Sequence, residues 1–376
     1  MTKCSYFPKC TGCSSWDTPY SKQKMNKISH LQQLLDEHNI NIKDTPEFIS
    51  SGASGLRHRV DFTIEYNQES KQHFIGFYDN EKQIINIEQC LQLDSTLQKI
   101  YTEFIKFKFF YGHTPIKKGS VRLRIGPTGL KGCWLDFSNI DIKYLLEDQK
   151  LLCDILDAGF IVEIGQKGKR LIRKNSILKL DDPISEVWFK SIDRNNQSLL
   201  LKSLISDFTQ PSWTTAEVLT HTVLTWIDEI GTIESILEFG SGIGQFTLSF
   251  LQQKFNVAAC EINLSATKYL LENAKNYKLE NNLNILVGDF HKKTLESDKK
   301  FDLVFVNPSR SGLKKFTDEI IQAKPEYLIY VSCFPESMVR DFLSLSSHFT
   351  LCNIKIIDQF PQTMHFETCA LLKKLN

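Results

Sequence analysis

The chain has 376 residues, enough for two domains with hydrophobic cores of their own. Its 45 Lys and Arg nearly balance 44 Asp and Glu, so net charge gives no whole-molecule case for a nucleic-acid partner, which would need a local basic patch instead. There is no signal peptide, and no apolar run approaches the roughly 20 residues a membrane helix needs, so a cytoplasmic protein is expected and its ten cysteines point to metal ligation or catalysis rather than disulfides.

Cys4, Cys10 and Cys13 form C-x5-C-x2-C in a segment rich in Pro, Gly and Ser. Tetrahedral zinc and iron–sulfur clusters both take four thiolates, so the triplet needs a fourth ligand. Cys90, in Ile87-Glu88-Gln89-Cys90 beyond a strand-like Gly76-Phe77-Tyr78, is the candidate. Spacing predicts a metal site and leaves zinc and iron–sulfur both open. Cys133, Cys153, Cys260, Cys352 and Cys369 sit in apolar or strand-like surroundings and read as buried thiols. Between the triplet and Cys90, the apolar positions Met25, Ile28, Leu31, Leu34 and Leu35 predict a helix over about 21–38, able to pack on a later part of the chain. A Gly-rich turn at 52–59 then presents Arg57, His58 and Arg59 before a strand at 60–64. It reads either as a solvated loop or as a phosphate contact.

Residues from about 60 to 190 read as short strands and turns with one helix. Arg122 and Arg124 alternate with apolar residues, as on a half-exposed strand whose arginines face either RNA or water. A basic turn follows at 166–174. Trp188 and Phe189 read as core.

From about 205 the pattern changes. A helix at 215–230 precedes an apolar strand that runs through Glu238 and Phe239 into Gly240-x-Gly242-x-Gly244. Glycines there let the backbone approach a ligand, and the spacing differs from the dinucleotide pattern G-x-G-x-x-G. A second strand ends in Glu261, about 20 residues on, where a carboxylate can accept from both ribose hydroxyls. A third ends in Asp289, suited to an adenine amino group. This series of loop, acid and acid resembles class I S-adenosylmethionine-dependent methyltransferases. A fourth strand, at 301–306, runs into Asn307-Pro308-Ser309-Arg310-Ser311-Gly312. Enzymes that methylate exocyclic amines follow Asn-Pro with Pro and an aromatic; Ser309-Arg310 instead suits gripping a base and a phosphate.

A further apolar strand leads into Tyr330-Val331-Ser332-Cys333-Phe334-Pro335. C5 of uracil is too weak a nucleophile to take a methyl group from a sulfonium. Thiolate attack at C6 makes C5 carbanion-like, and after methyl transfer a base must remove the C5 proton. Cys333 can supply the thiolate and Glu367 the carboxylate. His365 is the rival base, on the same side as Glu367 if the segment is a strand.

These segments together resemble the RNA uracil-C5 methyltransferase family, the RumA, RumB and TrmA group. Its Ser-Cys-Asn/Phe-Pro segment is matched at 332–335, followed by Arg340-Asp341. Phe-Pro-x-Thr-x-His-x-Glu is matched at 360–367, Asp-Pro-Pro-Arg-x-Gly imperfectly at 307–312, and Phe-x-Gln at Phe208-Thr209-Gln210. The resemblance implies that Cys333 is the nucleophile and Glu367 the base. It implies that Gln210, Gly240, Glu261 and Asn307 contact S-adenosylmethionine, and that Cys4, Cys10, Cys13 and Cys90 hold a [4Fe–4S] cluster; Phe239, in the glycine loop, and Asp289, at the third strand end, are expected to complete the cofactor site. Asn307 departs from the family's Asp and offers no negative charge. The layout, with no extra barrel before the cysteines, is closest to RumB.

The expected architecture is α/β: an iron–sulfur region with a helix at 1–90, a small β-rich RNA-contacting domain at 91–204, and a Rossmann-like class I methyltransferase domain at 205–376. The basic loops 57–59, 122–124 and 166–174 are expected to face the RNA. The expected activity is uridine C5 methylation in 23S ribosomal RNA by a monomer without membrane contact. Transfer RNA as substrate, or a non-catalytic RNA-binding relative, are the alternatives.

Overall fold

A strand that is apolar at every position, such as Leu303–Val306 with all four residues buried, needs a layer of helices on each face. Several such runs gather into one sheet. The computed structural model describes residues 3–137, 140–288 and 300–375. They fall into two units: residues up to Asp17 with Ser54–Phe189 and Ser203–Ser212, and Thr18–Ala53 with Lys190–Lys202 and the chain from Trp213 onward. This grouping departs from the linear division at 90 and 204, because an early helix and strand join the C-terminal unit.

In that unit the sheet strands, in chain order, are β1 (Glu47–Ser50), β2 (Ser235–Phe239), β3 (Asn256–Glu261), β4 (Leu283–Val287), β5 (Leu303–Val306), β6 (Tyr327–Ser332), β7 (Phe349–Asp358) and β8 (Glu367–Lys374). Their spatial order is β1-β7-β8-β6-β5-β2-β3-β4. Only β8 runs antiparallel to its neighbours; the other pairings are parallel. The chain winds outward from β2 to β4, then returns beside β2 with β5 and proceeds the other way. The crevice between β2 and β5 is therefore the topological switch point, where open α/β sheets bind ligands beyond the carboxyl ends of the strands.

The helices of this unit are α1 (Tyr20–Glu37), α2 (Trp213–Ile230), α3 (Thr247–Gln252), α4 (Leu264–Asn276), α5 (Thr317–Ala323) and α6 (Pro335–Leu345). Asn263 caps α4 by accepting from the N–H groups of Ser265 and Ala266, and Pro335 opens α6, where its missing N–H costs nothing. The predicted helix at 21–38 is α1, and its Leu31 and Leu35 enter the same core as Leu328, Phe342 and Phe366. Ile28 and Leu34 pack against that core as apolar spacing suggests, but the buried face extends further, over two polar residues, and leaves out Met25. Met25 is 58% exposed, while Gln23 and Lys27 are buried.

The other unit is built on a second eight-stranded sheet, in the spatial order 177–181, 169–174, 160–164, 131–136, 118–125, 59–67, 72–78 and 84–86. The pairing of Lys131–Asp136 with Phe160–Ile164 is parallel, and the crossover it requires contains Ile142–Asp148 and Lys150–Asp157. With Ser95–Phe104, the described residues hold three α-helices where the sequence predicts one. All are ten residues or shorter, too short for a clear period.

Of the arginines expected to face RNA, Arg59, Arg122 and Arg124 turn inward. Arg124 is 1% exposed and donates to the Leu204 carbonyl at 3.1 Å and to Thr209 Oγ1 at 2.9 Å. Arg122 donates to Asp61 and to the Ser206 carbonyl, Arg59 to the Thr209 carbonyl at 2.9 Å, and His58 is buried. The segment 204–209 lies across this face and presents carbonyls that the guanidinium groups satisfy. At 166–174, Lys169, Arg170 and Arg173 pair with Asp182, Glu186 and Asp157. Trp188 and Phe189 are core, as expected. Among the described residues no helix is long and apolar enough to cross a membrane.

Candidate active site

The antiparallel register of β6 and β8 sets Ser332 opposite Thr368. One step beyond that pair in the sequence come Cys333 and Glu367, near enough at the carboxyl end of β6 for the carboxylate's charge to act on the thiol. The end of the ladder is fastened by the Thr368 hydroxyl, which donates to the Ser332 carbonyl at 3.0 Å. Ser332 Oγ accepts from the Phe334 N–H at 3.1 Å, shaping the turn that carries Cys333 from strand to α6.

The loop after β5 is tied to α6. Asp341 accepts from the Leu313 N–H and from the Tyr330 hydroxyl, both at 2.6 Å, and Arg340 donates to the Ser311 carbonyl at 3.0 Å. Gly312, at φ +74°, lies so close that a Cβ would stand 2.5 Å from Asp341 Oδ2. The Arg340-Asp341 pair noted in the sequence is thus a tether, and it brings Arg310 beside Cys333. Burial pushes the Cys333 thiol up, Glu367 adds to this, and the Arg310 guanidinium pulls it back by charge and as a donor.

Glu367 is 2% exposed. Burial raises its carboxyl to about 7, against the opposing pull of Arg310 and of Gln359, whose Nε2 donates to Glu367 Oε1 at 3.0 Å. A carboxylate balanced near neutrality is suited to general-base work. His365 is not its equal: β8 begins at Glu367, so strand alternation does not extend to residue 365, whose side chain is exposed.

The switch-point crevice is formed by the glycine loop and Asn307. Gly240 has φ +78°, and a Cβ there would meet the Asn307 carbonyl at 2.7 Å. The Asn307 N–H donates to the Phe239 carbonyl at 3.1 Å, and the Gly240 N–H to the Cys260 carbonyl at 3.0 Å. Glu261 accepts from the Gly242 N–H at 2.9 Å and the Asn263 N–H at 2.8 Å, so its carboxylate props the loop from the end of β3. Beneath, Glu238 is fully buried, accepts from the Thr247 hydroxyl at 2.6 Å, and is pushed by burial up to about 8. Of the residues expected at a cofactor, Gly240, Glu261 and Asn307 are brought together. Phe239 is there by its backbone only: its ring is 1% exposed and packs on Phe316 at 4.2 Å. Asp289 lies outside the described residues. Gln210 belongs to the other unit, two residues from Phe208, which is 72% exposed beneath the Arg59 guanidinium.

Cys4, Cys10, Cys13 and Cys90 line one cavity of ≈ 240 Å³ with Trp16, Arg57 and Phe77. Burial raises the Cys13 thiol to about 11. Among the described residues, no group of three or more His, Cys, Asp or Glu is arranged to hold a metal ion; the four thiols are walls of a cavity rather than a closed single-ion shell. Of the thiols expected to be buried, Cys352 is exposed and Cys153 only half-buried, whereas Cys133, Cys260 and Cys369 are buried.

Two parts of the site escape sequence reasoning. Arg310 reads as a grip for base and phosphate, and its place beside Cys333 depends on the tether to α6. Gln359 carries no motif signal at all.

The profile of the tRNA (uracil-5-)-methyltransferase family matches residues 173–375. The chain belongs to this family. It is an RNA uracil-C5 methyltransferase, as the motifs at 332–335 and 360–367 imply. It is 35% identical to a Bdellovibrio bacteriovorus protein named as an uncharacterized RNA methyltransferase, over 99% of this chain and 95% of that one. It is 24% identical to a 23S rRNA (uracil(1939)-C(5))-methyltransferase, RlmD, of Aliivibrio salmonicida, over 99% of this chain and 82% of the relative. Among solved structures, a Pyrococcus abyssi tRNA (uracil-54, C5)-methyltransferase in complex with S-adenosyl-L-homocysteine matches with a TM-score of 0.69 at 21% identity. That match covers 97% of this chain and 86% of the other, a likeness of fold.

Proposed function

We propose that this family member methylates C5 of a uridine in 23S ribosomal RNA, using S-adenosylmethionine and a transient bond between Cys333 and uracil C6. The observation that carries the reading is the register that sets a thiol within reach of a buried carboxylate's charge, with a guanidinium against the thiol. The cosubstrate supplies an electrophilic methyl group, and the chain does the rest. Cys333 attacks C6, helped by Arg310, which favours its thiolate. C5 gains carbanion character and takes the methyl group. Glu367 removes the C5 proton, the C5–H electron pair forms C5=C6, and the thiolate leaves. The target base has to leave its stack to reach Cys333.

The crevice fits the methyl donor. Gly240 and Asn307 approach too closely for a side chain between them, and Glu261 stands at the strand end where ribose hydroxyls can be accepted. The likeness to a ribosomal-RNA enzyme over 99% of this chain and 82% of that one supports 23S RNA; the match to the tRNA (uracil-5-)-methyltransferase family supports the second reading, a tRNA uridine. Four thiols with no other donor type among them suit a [4Fe–4S] cluster, which Cys4, Cys10, Cys13 and Cys90 would hold; such a cluster would staple the N-terminal segment to the strand region before Cys90. The enzyme is proposed to act as a cytoplasmic monomer.

RNA containing 5-fluorouridine tests the mechanism, because fluorine cannot leave as a proton does. A heat-stable protein–RNA band on a denaturing gel is expected with the parent enzyme and none with Cys333→Ala. Mapping the trapped fragment identifies the uridine. If ribosomal and transfer RNA give no band while the protein binds S-adenosylmethionine, the thiol mechanism is wrong. For the cluster, iron bound per chain after anaerobic purification should fall at least severalfold in Cys90→Ser; unchanged iron removes Cys90 from the ligand set.

A further inference from the structure

We infer that Gln359 is a positioning residue for proton removal, holding Glu367 as a carboxylate with one oxygen fixed and the other free for the C5 proton. This rests on the proposed role of Glu367 as base. The amide reaches the carboxylate inside the protein: Gln359 is 3% exposed and Glu367 is 2% exposed, and the contact is 3.0 Å between Nε2 and Oε1. The residues on either side of Gln359 are pinned by one cation. Lys27 of α1 donates to Asp358 Oδ1 at 2.7 Å and to the Phe360 carbonyl at 3.1 Å. The Tyr20 hydroxyl donates to Asp358 Oδ2 at 2.6 Å, and the Gln359 N–H reaches the Ile357 carbonyl at 3.0 Å. Ile357 in turn is the ladder partner of Glu367. The amide and its carboxylate therefore belong to one braced corner of the sheet, with α1 as the brace.

The chemistry follows from the donor. A hydrogen bond to the charged form favours it, and a buried carboxyl raised by desolvation needs that help to be ionised at neutral pH. With Oε1 occupied by the amide, the proton leaving C5 goes to Oε2, the C5–H electrons close the C5=C6 bond, and the C6–S bond breaks to return the Cys333 thiolate. The other groups acting on Glu367 or facing it are Arg310 from the loop after β5, Cys333 after β6, and Cys369 on β8; Asp358 is paired with Lys27. A change confined to residue 359 leaves these in place.

The test is the pH dependence of breakdown of the methylated adduct on ordinary uridine RNA, followed by quenched single turnover. Gln359→Met keeps the volume and removes the donor. Its breakdown rate should lose its acid limb one pH unit or more above the parent's, with a step at least about fivefold slower at pH 7, so that adduct accumulates. Gln359→Glu should move the limb up as well, since two carboxylates sharing a site raise one pKa. Adduct formation on 5-fluorouridine RNA needs no proton removal and should match the parent in both variants. An acid limb that stays in place in both variants overturns the inference, as does loss of the fluorouridine adduct in both, which would make residue 359 a folding element. If Glu367→Gln keeps the parent's acid limb, it is the base assignment that fails, and the inference falls with it.

Discussion

At Glu367 catalysis and stability pull in opposite directions. The side chain is fully enclosed, so its charged form is disfavoured, yet the proposed reaction needs it charged. Its carboxyl is raised in the fold to about 7 from 4.5, so the folded state binds a proton that the unfolded state releases. Stability from this group is complete below pH 4.5 and is lost as pH rises through 7, a difference of about 3 kcal/mol at 1.36 kcal/mol per unit. Glu367→Gln should therefore be more stable than the parent at pH 8, by up to about 3 kcal/mol, and nearly equal to it at pH 4. Urea denaturation at the two pH values checks this. The same variant should accumulate adduct on ordinary uridine RNA. Cys333 and Glu367 were legible because their neighbours in sequence form motifs whose chemistry is known. Arg310 is legible as a polar contact but not as a neighbour of the thiol, and Gln359 is not legible at all, because what each does here depends on a partner brought near by a tether or a strand register.

At the scale of elements, α1 and the glycine loop carry the sharpest expectations. Lys27 and Asp358 are both 0% exposed and paired at 2.7 Å, and removing one partner of such a pair costs about 3–5 kcal/mol. Lys27→Met should lower stability by that amount in chemical denaturation, and the double variant with Asp358→Asn should recover part of it. Gly240→Ala places a methyl group against the Asn307 carbonyl at a positive φ. It should weaken S-adenosylhomocysteine binding at least tenfold by calorimetry. After residue 205 the helix at 213–230 and the strands ending at Phe239, Glu261, Val306 and Ser332 are legible from apolar runs, whereas the helices at 264–276, 317–323 and 335–345 and the strand at 349–358 are not. Apolar spacing finds the part of the α1 face that carries Ile28, Leu31, Leu34 and Leu35, but not Gln23 and Lys27, polar residues buried against polar partners, Gln362 and Asp358, which a hydrophobic pattern cannot register. The alternating arginines of 118–125 misled for the converse reason. A strand face that looks wet from its sequence is roofed by the carbonyl-rich segment 204–209.

For the whole molecule, the near-balance of charge leaves RNA affinity to local patches, and Arg124 is not part of one. Arg124→Met should reduce stability, since carbonyls at 204 and 205 lose their donor, while leaving the slope of log affinity against log salt unchanged. An arginine on phosphate would reduce that slope by about one. The order of synthesis adds a consequence of the chain's path. Ser54–Phe189 and Ser203–Ser212 supply most of one unit, so that unit can close early. Glu47 of β1, however, pairs with Lys355 of β7. At roughly 5–20 residues per second on the ribosome, α1 and β1 wait about 15–60 s for the strands they pack on. Until those strands emerge, the core that Leu31 and Leu35 enter lacks most of its other members.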